Sequence, residues 1–298
     1  MKHRLPGTGY LIACIAGLVL LLLLNRDGYA SAVLSRMLIA AVMAGGLDLC
    51  VGMAGQLSLG QAVFMAAGAY ACATVTRALS GGLGEIAGLA AGAVCAAAVA
   101  LPLGAVVLRL RGDYLAVATM GLGEIARVVL ENTKALGGAA GLYDIPRFTT
   151  PLAAYLAAFG CATGCLWFAK SRRGMLCRAM GQDETAAQAV GVNTFGVKLL
   201  AFTLAAGLTG LAGGLYAGLL GFISPKDFTF ARSVDILAAV VIGGTGTVLG
   251  PMLAAMAFEA LAALLQGAAN LRMIVYAIIL IGYTIIRYKG KGRAKCRS

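Results

Sequence analysis

Residues 171–202 read SRRGMLCRAMGQDETAAQAVGVNTFGVKLLAF and form the one long polar interruption in an otherwise apolar chain. Their front edge is basic. On both sides of this stretch, apolar runs of about 20 residues recur, which is the length that crosses the hydrocarbon core of a bilayer. The sequence therefore predicts a membrane protein whose single sizeable polar loop, at 170–196, is placed to contact a soluble partner.

The composition agrees with a membrane location. Of the 298 residues, 60% are apolar and 12% are charged, and the mean hydropathy is +0.89. The 42 glycines lack the three-residue period of collagen, and in a membrane such small residues allow helices to approach closely. We predict an all-α, polytopic transmembrane helical bundle that forms a single domain over 1–298.

The apolar runs predict individual spans. They lie at about 9–25, 33–51, 57–77, 84–108, 114–131, 151–169 and 197–219, with a last span at 271–287. The region 234–266 is less regular, because two apolar pieces flank a break that contains Gly243, Gly244, Gly246, Gly250 and Pro251. In total, about 8–10 spans are expected. The N-terminal apolar stretch could pass for a cleaved signal peptide, but an uncleaved first span is the preferred interpretation.

Charge predicts the orientation. The net charge is +12, and the basic residues concentrate in short loops and in the tail 288–298, which is the pattern of positive-inside insertion and argues against nucleic-acid binding. Both termini and the loop 170–196 are therefore expected in the cytoplasm. The segment 234–287 must then cross an odd number of times, either as three crossings or as a re-entrant pair of half-helices at 234–266 followed by one span. A break at membrane depth must be buried or face a water-filled cavity; a tight turn on the outside is the alternative.

Small residues recur at every fourth position in two of the predicted spans, and each set makes one smooth helix face that favours contact with a neighbouring helix. The first set is Gly84, Gly88, Gly92, Ala96, Ala100 and Gly104, and the second is Ala206, Gly210, Gly214 and Gly218.

Two polar segments are candidates for a translocation path. The stretch GQLSLGQAVF (55–64) opens the third span and carries Gln56, Ser58 and Gln61, which should face the bundle interior because polar groups are costly in lipid. The alternative is a helix start held by interhelical hydrogen bonds.

The second segment opens the fifth span, where Asp113 is a suitable N-cap. Tyr114 and Thr119 follow it, and Glu124 can pair with Arg127 three residues later, either along a path or as a structural pair. Asp48 and Arg36, in the second span, are charges without an evident partner.

The polar loop contains the pattern D-E-T-A-A-Q-A-V-G from Asp183, which predicts a short amphipathic helix. Asp183 and Glu184 lie at its start, Gly191 ends it, and Ala186, Ala187 and Val190 form a shallow apolar face. Such a helix can bind in a groove of a partner. It can also be an ordinary surface helix that packs on its own bundle.

Catalytic chemistry is not indicated. The eight cysteines mostly lie in apolar segments without metal-ligand spacing, and the single histidine, His3, belongs to an N-terminal basic cluster. No metal site, no cofactor and no enzymatic activity are expected. A G-x-x-x-x-G-K-[ST] motif is absent, because Gly290-Lys291 is followed by Gly292. An energy source, if ATP is used, must therefore lie in another polypeptide.

Taken together, the segments 55–73, 111–132, 137–146, 171–218, 223–230 and 240–251 resemble, in order, the permease subunits of branched-chain amino acid ABC importers of the LivM type. The resemblance implies an inner-membrane protein that works with two ATPase subunits, a second homologous permease and a periplasmic substrate-binding protein. It also implies that the segment from Glu184 to Gly191 docks the ATPase and that transport proceeds by alternating access. Gln61 departs from the family, since many relatives have histidine there.

Three alternatives remain open at this stage. The chain could serve a related small solute, such as urea, a short amide, a sugar or a nucleoside. It could also be an ion-coupled secondary carrier, for which Asp48 and Glu124 are the candidate acidic groups. An integral membrane enzyme is the least favoured alternative, because no catalytic cluster is present.

Overall fold

Helices form almost all of the chain that the computed structural model describes, which comprises residues 28–79, 81–110 and 112–264. The α-helices are α1 Gly28–Asp48, α2 Gln61–Ala78, α3 Gly82–Val107, α4 Asp113–Asn132, α5 Pro151–Lys170, α6 Arg172–Gln182, α7 Glu184–Ala189, α8 Thr194–Leu220, α9 Phe230–Gly243 and α10 Leu249–Leu264. A π-helix, Leu49–Met53, continues α1, and 3₁₀ turns lie at Lys134–Leu136, Gly138–Ala140 and Pro225–Asp227.

Several of these helices are long and apolar enough to cross a bilayer. Within the described residues they are α1 with its π-helical turn, α3, α5 and α8, which confirms the multi-pass helical bundle. α2 and α4 have 18 and 20 residues but are less apolar. The predicted spans at 9–25 and 271–287 and the tail 288–298 lie outside the described residues.

The helix directions agree with the predicted order of crossings. α1 runs parallel to α5, because Cys161 Sγ lies 3.7 Å from the Val42 carbonyl oxygen and Cys165 Sγ lies 3.7 Å from that of Gly45. α2 and α8 are also parallel, and α3 runs against both. The third span differs from its prediction in one respect: residues 55–60 are not helical, so the helix begins at Gln61 and not at 57.

α2, α3 and α8 pack through backbone contact at glycines. A Cβ atom on Gly68 would lie 2.2 Å from the Gly210 carbonyl oxygen, and one on Gly213 would lie 2.1 Å from that of Met65. A Cβ on Gly92 would lie 2.7 Å from the Gly68 oxygen. Both predicted small-residue faces are buried along their whole length: Gly84, Gly88, Gly92, Ala96, Ala100 and Gly104 on α3, and Ala206, Gly210, Gly214 and Gly218 on α8.

α1 is the inner helix of the bundle. Every residue from 38 to 50 is buried, against α5, α8 and the α9–α10 pair. This position explains why α1 shows no amphipathic pattern, since a helix surrounded by protein can be apolar on all sides.

α9 and α10 form an antiparallel hairpin around the predicted break. At the closed end, a Cβ on Gly243 would lie 2.4 Å from the Gly250 carbonyl carbon, and toward the open end Arg232 Nη1 lies 2.7 Å from Glu259 Oε1. With 14 residues, α9 is about 21 Å long, shorter than the roughly 30 Å hydrocarbon core. The length of α9 favours the re-entrant pair over a full crossing by this helix. The turn at 244–248 lies at the opposite end of α9 from the connection between α8 and α9. In the predicted orientation that connection is on the outside, so the turn is not an outside turn.

Candidate coupling loop and buried polar segment

The polar loop folds into α6 and α7, each started by a side-chain cap. Ser171 Oγ accepts from the Gly174 N–H at 3.1 Å. Asp183 Oδ1 accepts from the Ala186 N–H at 3.0 Å and from Thr185 Oγ1 at 2.7 Å. The Ala186 bond, followed by the Thr185 bond, holds the pKa of Asp183 below its ordinary value. The predicted helix start at Asp183 is therefore confirmed.

Gly191 ends α7 as predicted. Its φ is +83°, and the Gly191 N–H donates to the Gln188 oxygen at 2.9 Å while the Val192 N–H donates to the Ala187 oxygen at 3.1 Å. This pair of bonds is the Schellman arrangement, which requires a left-handed residue at this position. A Cβ on Gly191 would meet no atom within 4 Å, so the need for glycine there is conformational and not steric.

The apolar face predicted for α7 is split in the structure. Ala187 packs on the bundle, whereas Ala186 is exposed and Val190 is 85% exposed. Residues 186 and 190 lie four apart and share a face, while 187 points about a quarter turn away. The expectation of one face with all three residues was wrong in this detail. Two small apolar side chains remain on the outward side.

Polar contacts fix α7 to the start of α8. Glu184 Oε1 lies 2.6 Å from Lys198 Nζ, with 33% and 12% of the two side chains exposed. Gln188 Nε2 donates to Thr194 Oγ1 at 3.0 Å. Glu184 is therefore engaged within its own chain, and α7 is tied to the long helix α8.

The far end of α6 rests on the backbone that follows α1. A Cβ on Gly181 would lie 2.5 Å from the Met53 carbonyl oxygen, and one on Gly55 would lie 3.2 Å from the Gly181 Cα. Gly55 also has a positive φ of +68°. Sequence reasoning missed this contact, because two single glycines 126 positions apart carry no joint signal.

Gln56, Ser58 and Gly60 of the non-helical segment 55–60 are buried, and side chains on distant helices bond to its backbone and to the start of α2. The Leu59 N–H donates to Thr119 Oγ1 on α4 at 2.9 Å. Just beyond the segment, the Ala62 N–H donates to Ser233 Oγ on α9 at 3.0 Å, and Thr209 Oγ1 on α8 donates to Gln61 Oε1 at 2.9 Å. The prediction that these polar residues face the interior is confirmed.

Three polar atoms of this region have no hydrogen-bond partner within the described chain. They are Gln56 Nε2, Ser58 Oγ and Gln61 Nε2. Each of these three residues is no more than 3% exposed. Buried donors of this kind are normally paired with protein, water or a ligand. The segment can therefore offer donors to a polar solute or to water.

The other candidate path residues lie on α4 and differ in environment. Thr119 is buried, and its Oγ1 accepts from the Leu59 N–H. Tyr114 is 78% exposed, and Glu124 Oε2 pairs with Arg127 Nε at 2.9 Å. Asp113 is not the N-cap that was predicted: Gly112 occupies that position with φ +61°, and Asp113 is the first helical residue. Its charge still lies at the favourable end of the helix.

A cavity of about 410 Å³ adjoins both predicted sets. Its lining includes Gln56 and Asp113 from the predicted path, and Gly181, Glu184 and Lys198 from the polar loop and the start of α8. The structure thus brings the coupling loop and the polar segment to the same place, which the sequence separation of the two motifs did not indicate.

Asp48 is the partner of the glycine-rich break. Its carboxylate accepts from the Gly246 N–H at 2.7 Å and from the Val248 N–H at 3.0 Å. A Cβ on Gly52 would lie 2.0 Å from Asp48 Oδ1 and 2.3 Å from the Gly246 nitrogen. Gly52 is therefore required for the turn to approach α1.

The turn itself needs unusual backbone conformations. Gly244 and Gly246 have φ of +91° and +83°, and Val248 has φ of +57°, which is rare for a β-branched residue. The carboxylate of Asp48 holds the Val248 N–H in this conformation. The sequence signals were an unpaired acid in an apolar span and a run of glycines, but nothing in the sequence joined them.

Comparison with known proteins places these features in context. A family model described as "Branched-chain amino acid transport system / permease component" matches residues 29–284. The chain is 36% identical over 245 residues to the high-affinity branched-chain amino acid transport system permease protein LivM of Escherichia coli K12, covering 70% of this chain and 57% of that protein. The chain thus spans a little over half the length of the LivM proteins that it matches.

Two further relatives match shorter parts. The high-affinity branched-chain amino acid transport system permease protein LivH of E. coli K12 is 35% identical over 83 residues, 28% of this chain and 27% of LivH. The autoinducer 2 import system permease protein LsrC of Salmonella paratyphi B is 30% identical over 136 residues, 43% of this chain and 38% of LsrC. No solved structure matches the chain.

Proposed function

Because the chain belongs to the permease-component family of branched-chain amino acid transport systems, we propose that it is a membrane-spanning permease subunit of an ABC importer that moves branched-chain amino acids across the bacterial inner membrane. The observation that carries this proposal is the family match, which extends over 29–284 and so includes the coupling loop, the polar segment and the α9–α10 hairpin.

The proposed importer has several protein parts. A second, homologous permease is expected, because LivM and LivH are both named as permease proteins of one kind of transport system. Two ATPase subunits would bind and hydrolyse the ATP, so this chain would need no cofactor of its own. A periplasmic binding protein would deliver the substrate.

The ATPase would dock on α7. Ala186 and Val190 project outward from a helix whose two ends are held by Asp183 and Gly191. A short helix with a small apolar ridge suits a groove on a partner. Since Glu184 is tied to Lys198 on α8, closure of the ATPase pair would pull on a membrane-spanning helix. Only contacts that differ between the two states can drive the change.

The translocation path would run along α4 and the polar segment. α4 carries Glu124, Arg127 and Glu131 as a partly exposed ionic group, and charged side chains in a membrane segment face protein or water and not lipid. We therefore expect this face, with Tyr114 at one end, to look toward the second permease. The unpaired donors of Gln56, Ser58 and Gln61 and the cavity beside them would form the inner part of the route.

A second candidate substrate class has its own support. The LsrC relative is named for import of autoinducer 2, so permeases with this sequence pattern serve solutes other than amino acids. An ion-coupled carrier has less support, because both acids that it would use already have partners: Asp48 accepts two backbone N–H groups, and Glu124 pairs with Arg127.

Reconstitution tests the proposal. The chain would be co-expressed with its partner permease and ATPases, purified, and placed in liposomes with a binding protein. ATP-dependent uptake of labelled leucine is expected, and competition by ribose or urea, but not by valine, would instead indicate the related-solute importer. Uptake by this chain alone under an ion gradient would contradict the proposal in favour of a carrier.

A loop variant tests the docking helix. Val190→Glu places a charge in the outward ridge, and we expect it to abolish co-purification of the ATPases while the permease pair stays assembled. Gln182→Glu is the matched control, since residue 182 is exposed in the same loop but precedes α7. Equal ATPase recovery with Val190→Glu and with the control would argue against docking on α7.

A further inference from the structure

A groove of about 620 Å³ lies between the end of α5 and one face of α8. Its α8 wall is formed by leucines four residues apart, and Leu49 contributes from the π-helix. The α5 wall is formed by the last two turns of that helix. The membrane-depth lining is Leu49, Gly164, Cys165, Trp167, Phe168, Leu200, Leu204 and Leu208, all of which lack a charged group.

One end of this groove is cationic. Ser171, Arg172 and Arg173 complete its lining, and both arginines are exposed. In the part of the chain that the structure describes, neither arginine forms an ion pair. A groove with an apolar interior and two guanidinium groups at its rim suits a ligand that joins an anionic group to an apolar chain.

The start of α6 adds to this positive end. Ser171 caps the 11-residue helix α6 and accepts the Gly174 N–H, and the first intrahelical bond runs from the Met175 N–H to the Ser171 oxygen at 3.0 Å. The N–H groups of Arg172 and Arg173 precede that bond and have no intrahelical acceptor. They lie at the positive end of the helix dipole, where a phosphate oxygen is favoured.

The groove lies at the depth of one leaflet. α5 and α8 are both long and apolar enough to cross a bilayer, and the rim is at the end of α5. Trp167 is 77% exposed beside that rim, where tryptophan typically marks the membrane interface. Residues 200 to 208 cover about 12 Å along α8, so the apolar part extends from the interface into the hydrocarbon.

We infer that this groove binds one anionic glycerophospholipid, with its phosphate against Arg172 and Arg173 and an acyl chain along Leu200, Leu204 and Leu208. Charge complementarity selects this occupant: charge-assisted bonds from arginine to phosphate are strong and often bidentate. An apolar helix of a partner would fill the leucine-lined part but would leave both guanidinium groups unpaired. The inference does not rest on the proposed transport function.

Lipid binding by the purified chain tests the inference. Native mass spectrometry in detergent would compare phosphatidylglycerol with phosphatidylcholine of the same acyl chains, with glycerol 3-phosphate as the soluble headgroup probe. We expect phosphatidylglycerol to bind roughly tenfold more tightly than phosphatidylcholine, and glycerol 3-phosphate to show no retained adduct. Equal binding of the two lipids would overturn the inference, and so would retention of glycerol 3-phosphate with the same affinity as the lipid.

Two variants separate the headgroup contact from the groove. Arg172→Gln combined with Arg173→Gln should remove the preference for phosphatidylglycerol, whereas Arg178→Gln, an exposed arginine of the same helix that does not line the groove, should retain it. Gly164→Leu places a larger side chain in the apolar part, where the added Cβ meets no atom within 4 Å. Gly160→Leu is the control, because its Cβ is equally free of neighbours and residue 160 does not line the groove.

The Gly164 variant keeps the test decisive if the arginine variant does not fold. Loss of phosphatidylglycerol binding with Gly164→Leu, and not with Gly160→Leu, supports an acyl chain in the groove. Undiminished binding in a monodisperse Gly164→Leu protein would overturn it, because the lipid would then be held at the surface alone.

Discussion

Two regions of this molecule use glycine for close approach, in opposite ways. In the interface of α2, α3 and α8, glycines let helix backbones touch, as at Gly68 against Gly210. At the polar end, which we define as 48–60, α6, α7 and the turn 244–248, glycines let irregular backbone meet a carboxylate or another loop, as at Gly52 against Asp48.

The difference teaches where specificity resides. Contact between regular helices needs only shape, because each helix satisfies its own backbone hydrogen bonds. Irregular backbone at membrane depth must find partners elsewhere in the chain, so the polar end depends on particular side chains such as Asp48 and Thr119. Mutations that add side-chain volume should therefore destabilise the interface of α2, α3 and α8, and mutations that remove a hydrogen bond should destabilise the polar end.

The largest effect is expected at Asp48. Asp48→Ala leaves the buried N–H group of Val248 and the part-buried N–H group of Gly246 without their acceptor, and at about 1–3 kcal/mol for a buried unsatisfied donor the loss of stability should be about 2–4 kcal/mol. Thermal unfolding in detergent would measure it. Asp48→Asn retains one acceptor oxygen and should lose roughly half as much. An unchanged midpoint for Asp48→Ala would mean that the turn does not depend on this carboxylate.

The helix interface should respond to a single methyl group. Gly213→Ala places its Cβ 2.1 Å from the Met65 carbonyl oxygen, so the helices must separate, at a cost of about 1–3 kcal/mol. Gly160→Ala is the matched control, because nothing lies within 4 Å of its Cβ and alanine is the better helix former. If both variants unfold at the same temperature, backbone contact is not what holds α2 to α8.

A smaller effect is expected where α7 joins α8. The Glu184–Lys198 pair is partly exposed, and such pairs contribute about 1 kcal/mol or less. A double-mutant cycle with Glu184→Gln and Lys198→Gln should show non-additive midpoints together with faster proteolysis of the loop in each single variant. Strictly additive effects would indicate that the two groups do not interact in solution.

The smallest effect concerns pH at the cap of α7. The folded pKa of Asp183 is lowered by the Ala186 N–H bond, so its contribution is present above the unfolded pKa and is lost as the pH falls through the folded value. Amide exchange at Ala186, corrected for intrinsic rates, should therefore lose protection only in acid. Asp183→Asn should cap the helix without this pH dependence; a wild-type profile in that variant would rule out the carboxyl group as its source.

Much of the fold could be predicted from local pattern. The bounds of α3, α5 and α8 follow from apolar length, and the four-residue spacing identified both small-residue faces, because a helix places such positions on one side. Asp183 and Gly191 were recognisable as helix boundaries for the same local reason. The aspartate side chain predicts an N-cap at Asp113, but in the structure Gly112, with a positive φ, is the N-cap of α4.

The site was harder to predict than the fold. Gln56, Ser58 and Gln61 are recognisable in the sequence as interior polar groups, but the non-helical backbone that presents them depends on acceptors from Thr119 and Ser233 far along the chain. The start and end of the loop helix α7 follow from the sequence, yet the inward turn of Ala187 and the pairing of Glu184 required the position of α8.

The sequence by itself determined that this is a multi-pass helical bundle with one polar loop, because hydropathy, small-residue spacing and helix caps act over a few residues at a time. Only the tertiary structure decided that Asp48 closes the turn at Gly246 and Val248, that Gly181 rests on Met53, and that the loop and the polar segment share one cavity. These contacts join residues more than a hundred positions apart, and the physical reason is that buried irregular backbone takes whichever partner the packed helices bring within hydrogen-bond distance.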